Sequence, residues 1–165
     1  MITVFSWVKA DVQSAKAVIS KYETTANQRS WMMGSSDLGD YSKLQILLSS
    51  AGSAVTKNYD SSIIGFDNAW HSVGFTYDDA NILYLYIDGV KDPSPTKTTD
   101  TAMTSIFDSG VPVMIGCYSA AYAWTGFLTG SIVEGTIYNR VLSESEMKVL
   151  YDSTYRELKA RGFTI

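Results

Sequence analysis

Residues 126–143 read GFLTGSIVEGTIYNRVLS, a stretch that passes directly from a strand-like segment into the start of a helix. Its central part, residues 131–138, is rich in β-branched and apolar residues, a pattern typical of a β-strand. Ser143 then offers a side chain that is preferred at a helix N-cap. The stretch therefore predicts a strand followed closely by a helix.

The residues after Ser143 strengthen the helix prediction. Ser143 and Glu146 fit a capping box, and Leu142 with Met147 fits the accompanying hydrophobic staple. Spacings of three and four place one stripe of residues on a single helix face: Met147, Leu150, Tyr151, Thr154 and Leu158. Gly162 is a suitable terminator. We expect one C-terminal helix whose apolar stripe lies across a sheet edge.

Short runs with strand character fill the rest of the chain. They are separated by clusters of Gly, Ser, Asn and Asp, and they cover residues 2–9, 16–21, 30–34, 43–49, 70–77, 82–87 and 112–116. Residues 91–105, rich in threonine and proline, are predicted to form a surface loop with a short edge strand as an alternative. Many short strands at this spacing predict an all-β fold, with two antiparallel sheets in a jelly-roll β-sandwich and one C-terminal α-helix.

Two turns between these runs have recognisable chemistry. Residues 78–81, Asp-Asp-Ala-Asn, join the runs 70–77 and 82–87. Asp88-Gly89 suits a two-residue type I′ turn, because both residue types tolerate positive φ angles. The sequence therefore predicts two consecutive hairpins.

Composition narrows the classes of function. The chain has 165 residues with no internal repeat or linker, so residues 1–165 are predicted to form a single domain. Its net charge is −4, and its basic residues are scattered singly, which argues against nucleic acid as a partner. No apolar run approaches the roughly 18 residues that span a bilayer, so no membrane insertion is predicted. Cys117 stands alone, which excludes an internal disulfide.

Three short blocks taken together carry a family resemblance. They are Trp70-His71-Ser72-Val73, Tyr86-Ile87-Asp88-Gly89 and Ile137-Tyr138-Asn139-Arg140-Val141-Leu142-Ser143. In order and spacing they resemble the laminin G-like domains of the concanavalin A-like lectin/glucanase superfamily. The resemblance covers nearly the whole chain. It implies a jelly-roll sandwich that serves as a binding or adhesion module in larger extracellular or viral proteins.

The chain departs from the family pattern at two places. The family usually has a further strand before the one that contains Trp7, so that strand would be missing, replaced, or supplied by a partner. The family aspartate that helps to bind calcium corresponds to Val133, which has no oxygen to offer a cation. We therefore predict no cofactor. Asp37 and Asp40 lie in an oxygen-rich loop, where an Asx turn is expected and calcium is the alternative.

Candidate catalytic groups are sparse. His71 is the only histidine, and its place in the family block predicts a structural role rather than that of a catalytic base. Glycosidases of this superfamily place acidic residues at alternate positions of one strand. Glu134 stands alone in its strand, while Glu144 and Glu146 belong to the first turn of the helix. The sequence predicts no catalytic residue and no enzyme.

The best candidate for a recognition surface is the loop 116–126, which reads GCYSAAYAWTG. It places Tyr118, Tyr122 and Trp124 among small residues. Flat aromatic faces stack on the C–H faces of sugar rings and bury a large area at low rotamer cost. The alternative is that Tyr122 and Trp124 cover the core or the sheet edge left by the missing strand.

These observations lead to two competing functional predictions. The first is a non-catalytic carbohydrate-binding or adhesion module of a larger extracellular or virion protein, with a carbohydrate or a protein surface as its partner. The second is a structural or assembly module, such as a virion fibre or decoration domain, that oligomerises through a sheet edge. Glycoside hydrolysis is the least favoured alternative.

Overall fold

A computed structural model of the chain describes residues 1–12, 16–78 and 80–165. Within these ranges the chain forms thirteen β-strands and one α-helix. They are β1 (Ile2–Ala10), β2 (Ala17–Glu23), β3 (Gln28–Ser35), β4 (Lys43–Leu48), β5 (Lys57–Ile64), β6 (Trp70–Tyr77), β7 (Leu83–Ile87), β8 (Val90–Lys91), β9 (Thr96–Asp100), β10 (Met114–Ile115), β11 (Tyr118–Ala120), β12 (Ala123–Thr125), β13 (Gly130–Tyr138) and α1 (Glu144–Ala160).

The strands form two sheets. One has five strands in the order β13-β1-β6-β7-β8, and the other runs β12-β11-β2-β3-β4-β5-β9, with β10 also paired to β2. Pairing is antiparallel except for a single parallel bridge between Ser119 and Glu23. The predicted all-β sandwich with one C-terminal helix is confirmed.

The main core lies between the two sheets. Alternate residues of facing strands fill it, as the period of two along a strand requires. Val4 and Val8 of β1 and Phe75 of β6 pack from one sheet, and Trp31 and Ile46 pack from the other. This closed core fixes the positions of the strand ends and of the loops that they carry.

The helix α1 covers the outer face of the five-stranded sheet. Met147 and Leu158 pack there against Phe5 and Trp7 of β1 and Tyr86 of β7. The expectation that the helix lies across a sheet edge is therefore wrong, because the outward-facing aromatic residues of β1 supply a full apolar face to cover.

Both ends of the helix have the predicted caps. The side chains of Ser143 and Glu146 form the reciprocal hydrogen bonds of a capping box. At the other end, Gly162 has a φ of 87°, its N–H donates to the Lys159 carbonyl, and the Phe163 N–H donates to the Leu158 carbonyl. This pair of bonds is a Schellman motif, which requires a residue that tolerates positive φ.

The second predicted hairpin turn is present, with φ angles of 50° at Asp88 and 72° at Gly89. The first hairpin also forms, since β6 and β7 pair antiparallel, although Asp79 of its turn lies outside the described residues. Four strands lie outside the predicted runs: β5, β8, β11 and β12. Within the predicted loop 91–105, residues 96–100 form β9, the short edge strand given as the alternative.

One edge of the sandwich is open. β13 is the last strand of the five-stranded sheet, and its side away from β1 has no strand beside it in the described part of the chain. The neighbouring edge of the other sheet ends in the short β10, where Ile115 is 64% exposed. A Cβ atom at Gly116 would lie 3.9 Å from Ile132 of β13, so the two edges meet on the same side of the molecule.

Candidate functional site

The predicted recognition loop is a small β-hairpin at the end of the eight-stranded sheet. β11 and β12 pair through Tyr118 with Thr125, Ser119 with Trp124 and Ala120 with Ala123. The two-residue turn between them holds Ala121 at a φ of 51° and Tyr122 at 60°. Such a turn normally carries Asn and Gly, because a residue with a Cβ atom in this region costs about 1 kcal/mol or more. The chain thus maintains a strained turn at the tip of the hairpin.

The hairpin separates the three predicted aromatic residues. Tyr122 is 81% exposed at the tip, and Trp124 is 57% exposed. Tyr118 shares a face with Thr125 rather than with Trp124, and it packs edge-on against Tyr22 with ring centroids 6.2 Å apart. The structure therefore presents Tyr122 and Trp124 to solvent and places Tyr118 in a satellite apolar cluster on the outer face of the sheet.

A buried carboxylate fastens the hairpin to the sheet. Glu23, at the end of β2, is buried and accepts hydrogen bonds from the Ser119 hydroxyl and from the Thr25 N–H, the latter at 2.8 Å. Burial favours the neutral acid, but these hydrogen bonds outweigh it and hold the pKa of Glu23 below its usual value. Glu23 is therefore a charged anchor under the hairpin.

The neighbouring turn at residues 24–27 adds polar groups beside the aromatic tip. Thr25 accepts a 2.6 Å hydrogen bond from the Ala121 N–H, and the Thr24 N–H donates to the Ser119 carbonyl. Asn27 is exposed, with a φ of 53°. Neither Glu23 nor this turn was predicted as part of the site, because no local pattern links them to a hairpin about a hundred residues later.

This arrangement combines two exposed aromatic rings with hydroxyl and amide groups held by backbone contacts. Rings of this kind can stack on an apolar face of a ligand, while the polar groups can exchange hydrogen bonds with hydroxyls around its rim. The geometry is suited to a small or chain-like polar ligand bound at the surface.

His71 is held between two carboxylates. Its Nδ1 lies 2.7 Å from Asp88 and its Nε2 lies 3.0 Å from Asp67. The hydrogen bond to Asp88 is the main cause that raises the pKa of His71, against the opposing effect of burial. Because both ring nitrogens are engaged, neither is available to activate a serine or cysteine nucleophile. The contacts join β6 to the Asp88-Gly89 turn.

Val133 and Glu134, the two neighbouring positions of β13 considered in the sequence analysis, lie in different environments. Val133 packs beside the helix in the cluster that contains Trp7. No group of three or more His, Cys, Asp or Glu side chains is placed to hold a metal ion in residues 1–12, 16–78 and 80–165. Glu134 is exposed at a bulge in β13 and has a φ of 64°.

A separate cavity of about 490 Å³ lies beside β7 and β9. Its lining includes Lys97 and Asp100, whose charged groups are 3.4 Å apart. Asp100 also takes the ammonium of the buried Lys57 at 2.5 Å. Because the Asp100 carboxylate is already shared by two ammonium groups, it is not free to bind a ligand, and the hairpin remains the stronger candidate site.

Comparison with known proteins points to one superfamily. A laminin G-type family model, described as the concanavalin A-like lectin/glucanases superfamily, matches residues 1–148. No curated protein sequence matches the chain. The described residues contain no helix that is long and apolar enough to cross a membrane.

Solved structures share the fold at low sequence identity. A protein of Bacteroides ovatus described provisionally as carbohydrate binding superposes with a TM-score of 0.67 and 17% identity, over 89% of this chain and 39% of its own. The CBM40 of the Ruminococcus gnavus IT-sialidase superposes with a TM-score of 0.65 and 16% identity, over 91% of this chain and 81% of its own. A SAP-like pentraxin of Limulus polyphemus superposes with a TM-score of 0.66 and 15% identity, over 91% of this chain and 69% of its own. This chain therefore spans well under half of the Bacteroides protein.

Proposed function

The chain belongs to the concanavalin A-like lectin/glucanases superfamily, and from that premise we propose that it is a non-catalytic carbohydrate-binding module. Its ligand site is the hairpin that carries Tyr122 and Trp124, with Tyr118 supporting it from below. We further propose that the module works outside the cell as part of a larger protein. Several proteins with this fold are described by their ligands: one R. gnavus CBM40 structure is bound to α2,3-sialyllactose.

The observation that carries the proposal is the exposure of two aromatic rings on one hairpin, Tyr122 in its strained turn and Trp124 in the strand that follows. Exposed apolar side chains that lie close together, unlike single ones, mark binding surfaces, and strained backbone is kept mainly at functional sites. Glu23 and Thr25 add stabilising contacts that hold the turn in place. The hairpin is therefore organised before a ligand arrives, which lowers the entropic cost of binding.

A glycan array tests the proposal directly. We expect the wild-type protein to bind a defined set of glycans, and Trp124→Ala to lose that binding with an unchanged melting temperature. Tyr84→Ala is the matched control, because Tyr84 is a partly exposed aromatic residue on the other sheet. Absence of binding to every glycan, or equal losses in Trp124→Ala and Tyr84→Ala, would contradict the proposal.

The open edge supports the second candidate, an assembly module. Ile115 and Phe127 are 64% and 58% exposed there, next to the unpaired side of β13. An unguarded apolar edge of this kind can pair with the same edge of a second copy.

Light scattering separates the two candidates. We expect Ile115→Lys to reduce any oligomer to a monomer if the edge assembles copies, because an edge lysine opposes strand pairing. If the wild-type protein is a monomer at all concentrations, the assembly proposal is contradicted and the binding module remains.

A further inference from the structure

The cavity of about 490 Å³ beside β7 and β9 lies at the opposite end of the eight-stranded sheet from the hairpin. It spans the edges of both sheets, because Lys91 in its lining belongs to β8 and Lys97 belongs to β9. Tyr84, Pro93 and Pro95 add apolar surface to the same lining. Its volume and its mixed lining are those of a site for a small ligand. The polar groups of the lining decide which ligand chemistry it can take.

The carboxylates of the cavity already have hydrogen-bond donors. Asp92 is buried, and its two oxygens accept from the Ser62 N–H at 2.6 Å, from the Ser62 hydroxyl and from the Ser94 N–H at 3.0 Å. Asp100 is shared by the ammonium groups of two lysines. Both carboxylates are therefore occupied, and a ligand that offers only donors finds no unpartnered carboxylate among these lining residues.

The ammonium groups of the cavity have unused donors. Each lysine ammonium has three N–H groups. Lys91 is paired with Glu144 at 3.1 Å. Lys97 contacts Asp100 at 3.4 Å and is hydrogen-bonded to the Tyr59 hydroxyl. Among the described residues these contacts leave at least one N–H on each ammonium for a ligand.

Asn81 adds a neutral donor to this lining. Its Oδ1 accepts a hydrogen bond from the Met103 N–H at 3.0 Å, so the orientation of the amide is fixed. Its Nδ2 makes no hydrogen bond within the described part of the chain. The unused polar capacity of the cavity is therefore that of donors, from two ammonium groups and one amide.

Two tyrosine rings restrict the positions of the lysines. The Lys91 Nζ atom lies 4.7 Å from the centroid of the Tyr84 ring, and the Lys97 Nζ atom lies 4.9 Å from that of Tyr59. A cation over a ring face is attracted by its electron density, which favours one position of a long and flexible side chain. Both ammonium groups are therefore partly placed before a ligand arrives, which lowers the entropic cost of binding.

We propose that this cavity binds a small carboxylate, with Lys91, Lys97 and Asn81 as its donors. A carboxylate only accepts hydrogen bonds, and its two oxygens suit two ammonium groups that come from different strands. The body of the ligand packs on Tyr84 and the two prolines. Two sources carry this chemistry: a uronate unit of a saccharide, and a free organic acid with an apolar ring. The site is separate from the hairpin and does not depend on its function.

Glu144 competes with the ligand for Lys91. Its side chain is 62% exposed, and an ion pair in water is worth little, so a carboxylate in the cavity can replace it. Asp92 and Asp100 remain nearby as negative charges and weaken binding further. We expect a Kd on the order of 10⁻³ M, which is typical of a ligand with about a dozen heavy atoms.

An NMR titration of the isotope-labelled, full-length chain tests the site. Sodium glucuronate should shift the backbone amides of residues 81–84 and 91–100 and give a Kd on the order of 10⁻³ M. D-glucose, which lacks the carboxylate, should cause no such shifts. Cyclohexanecarboxylate distinguishes the two sources. Tighter binding of glucuronate assigns a sugar acid, and tighter binding of cyclohexanecarboxylate assigns a free apolar acid.

Charge variants identify the lysines that bind the ligand. Lys97→Gln and Lys91→Gln should each weaken glucuronate binding by about tenfold, because one charge-assisted hydrogen bond is lost. Lys97→Gln should fold, since Asp100 keeps its contact with Lys57. Lys148→Gln is the matched control, because Lys148 also lies over a tyrosine ring and is paired with an aspartate, but on the helix.

Removal of the competing carboxylate should have the opposite effect. Glu144→Gln should tighten glucuronate binding by about two- to fivefold, because Lys91 is then free for the ligand. Neutral glycans carry no carboxylate, so Tyr84→Ala keeps its value as the control for the hairpin when those glycans are compared. The proposal is overturned if neither acid shifts these amides at about 20 mM, well above the expected Kd, or if glucose shifts them equally. It is also overturned if Lys97→Gln binds as Lys148→Gln does, or if Glu144→Gln weakens binding.

Discussion

The helix-covered face of the five-stranded sheet and the hairpin of the eight-stranded sheet both depend on aromatic residues, but they use them in opposite ways. Trp7 is buried, stacks on Tyr151 with ring centroids 5.5 Å apart and donates its indole N–H to Thr154 at 2.7 Å. Trp124 stands mostly in solvent on a strained hairpin. The difference indicates that the first region stabilises the fold and that the second is available to a ligand.

The largest expected effect separates the two tryptophans. Trp7→Ala should reduce the free energy of unfolding by about 3 to 5 kcal/mol, because it leaves a large cavity under the helix. Trp124→Ala should change it by less than about 0.5 kcal/mol. Urea denaturation measures both values. Similar losses in the two variants would remove the distinction between the regions.

The hairpin depends on one buried side chain, the carboxylate of Glu23. Glu23→Ala should cost about 1 to 3 kcal/mol, because it leaves the Thr25 N–H and the Ser119 hydroxyl without their acceptor. It should also weaken glycan binding, although Trp124 is untouched. The exposed Glu157→Ala is the control for both unfolding and binding. Full binding in Glu23→Ala would show that the hairpin does not need its anchor.

His71 of the five-stranded sheet and Glu23 under the hairpin should respond to pH in opposite directions. The pKa of His71 is raised in the folded state, so its stabilisation is complete below the unfolded value of 6.5 and is lost as pH rises through the folded pKa. The pKa of Glu23 is lowered, so its stabilisation is present above 4.5 and is lost as pH falls through the folded pKa.

Melting temperatures between pH 3 and 9 measure these effects. His71→Gln should flatten the alkaline side of the curve, and Glu23→Gln should flatten the acidic side. We expect each effect to be smaller than that of Glu23→Ala, because titration removes a charge but keeps the side chain in place. A curve that His71→Gln leaves unchanged would contradict the role given to its two carboxylate contacts.

The smallest expected effect concerns the hairpin turn. Ala121→Asn should stabilise the protein by up to about 1 kcal/mol, because Asn adopts positive φ more readily than Ala. Glycan binding should stay the same or tighten slightly, since the turn geometry is kept. Thermal unfolding measures the gain, and Ala123→Asn in the adjoining strand is the control. A loss of stability in Ala121→Asn would show that the Ala121 methyl group makes a contact that matters.

Local patterns were sufficient for much of the fold. The capping box at Ser143 and the Asp88-Gly89 turn depend on residues that are neighbours in sequence, and both are confirmed. β5 escaped prediction because Lys57 faces the core side of its strand. Its ammonium donates to Asp100, which is 43 residues away. No local pattern reveals a contact of that length.

The candidate site was less accessible to sequence reasoning. Aromatic content pointed to Tyr118, Tyr122 and Trp124, and their role as ligand residues stays a prediction. The hairpin was hidden because its turn carries Ala and Tyr where Asn and Gly are usual. Without the hairpin register, the separation of Tyr118 from Trp124 could not be seen.

The distribution of tryptophan also gives this molecule built-in optical probes. Trp7 and Trp31 are enclosed and should fluoresce at short wavelength, whereas Trp124 should emit to the red and be open to acrylamide. A sugar that covers the hairpin would shield one indole and leave the enclosed pair unchanged. Steady-state quenching could therefore follow occupancy and unfolding in the same cuvette, without an added dye.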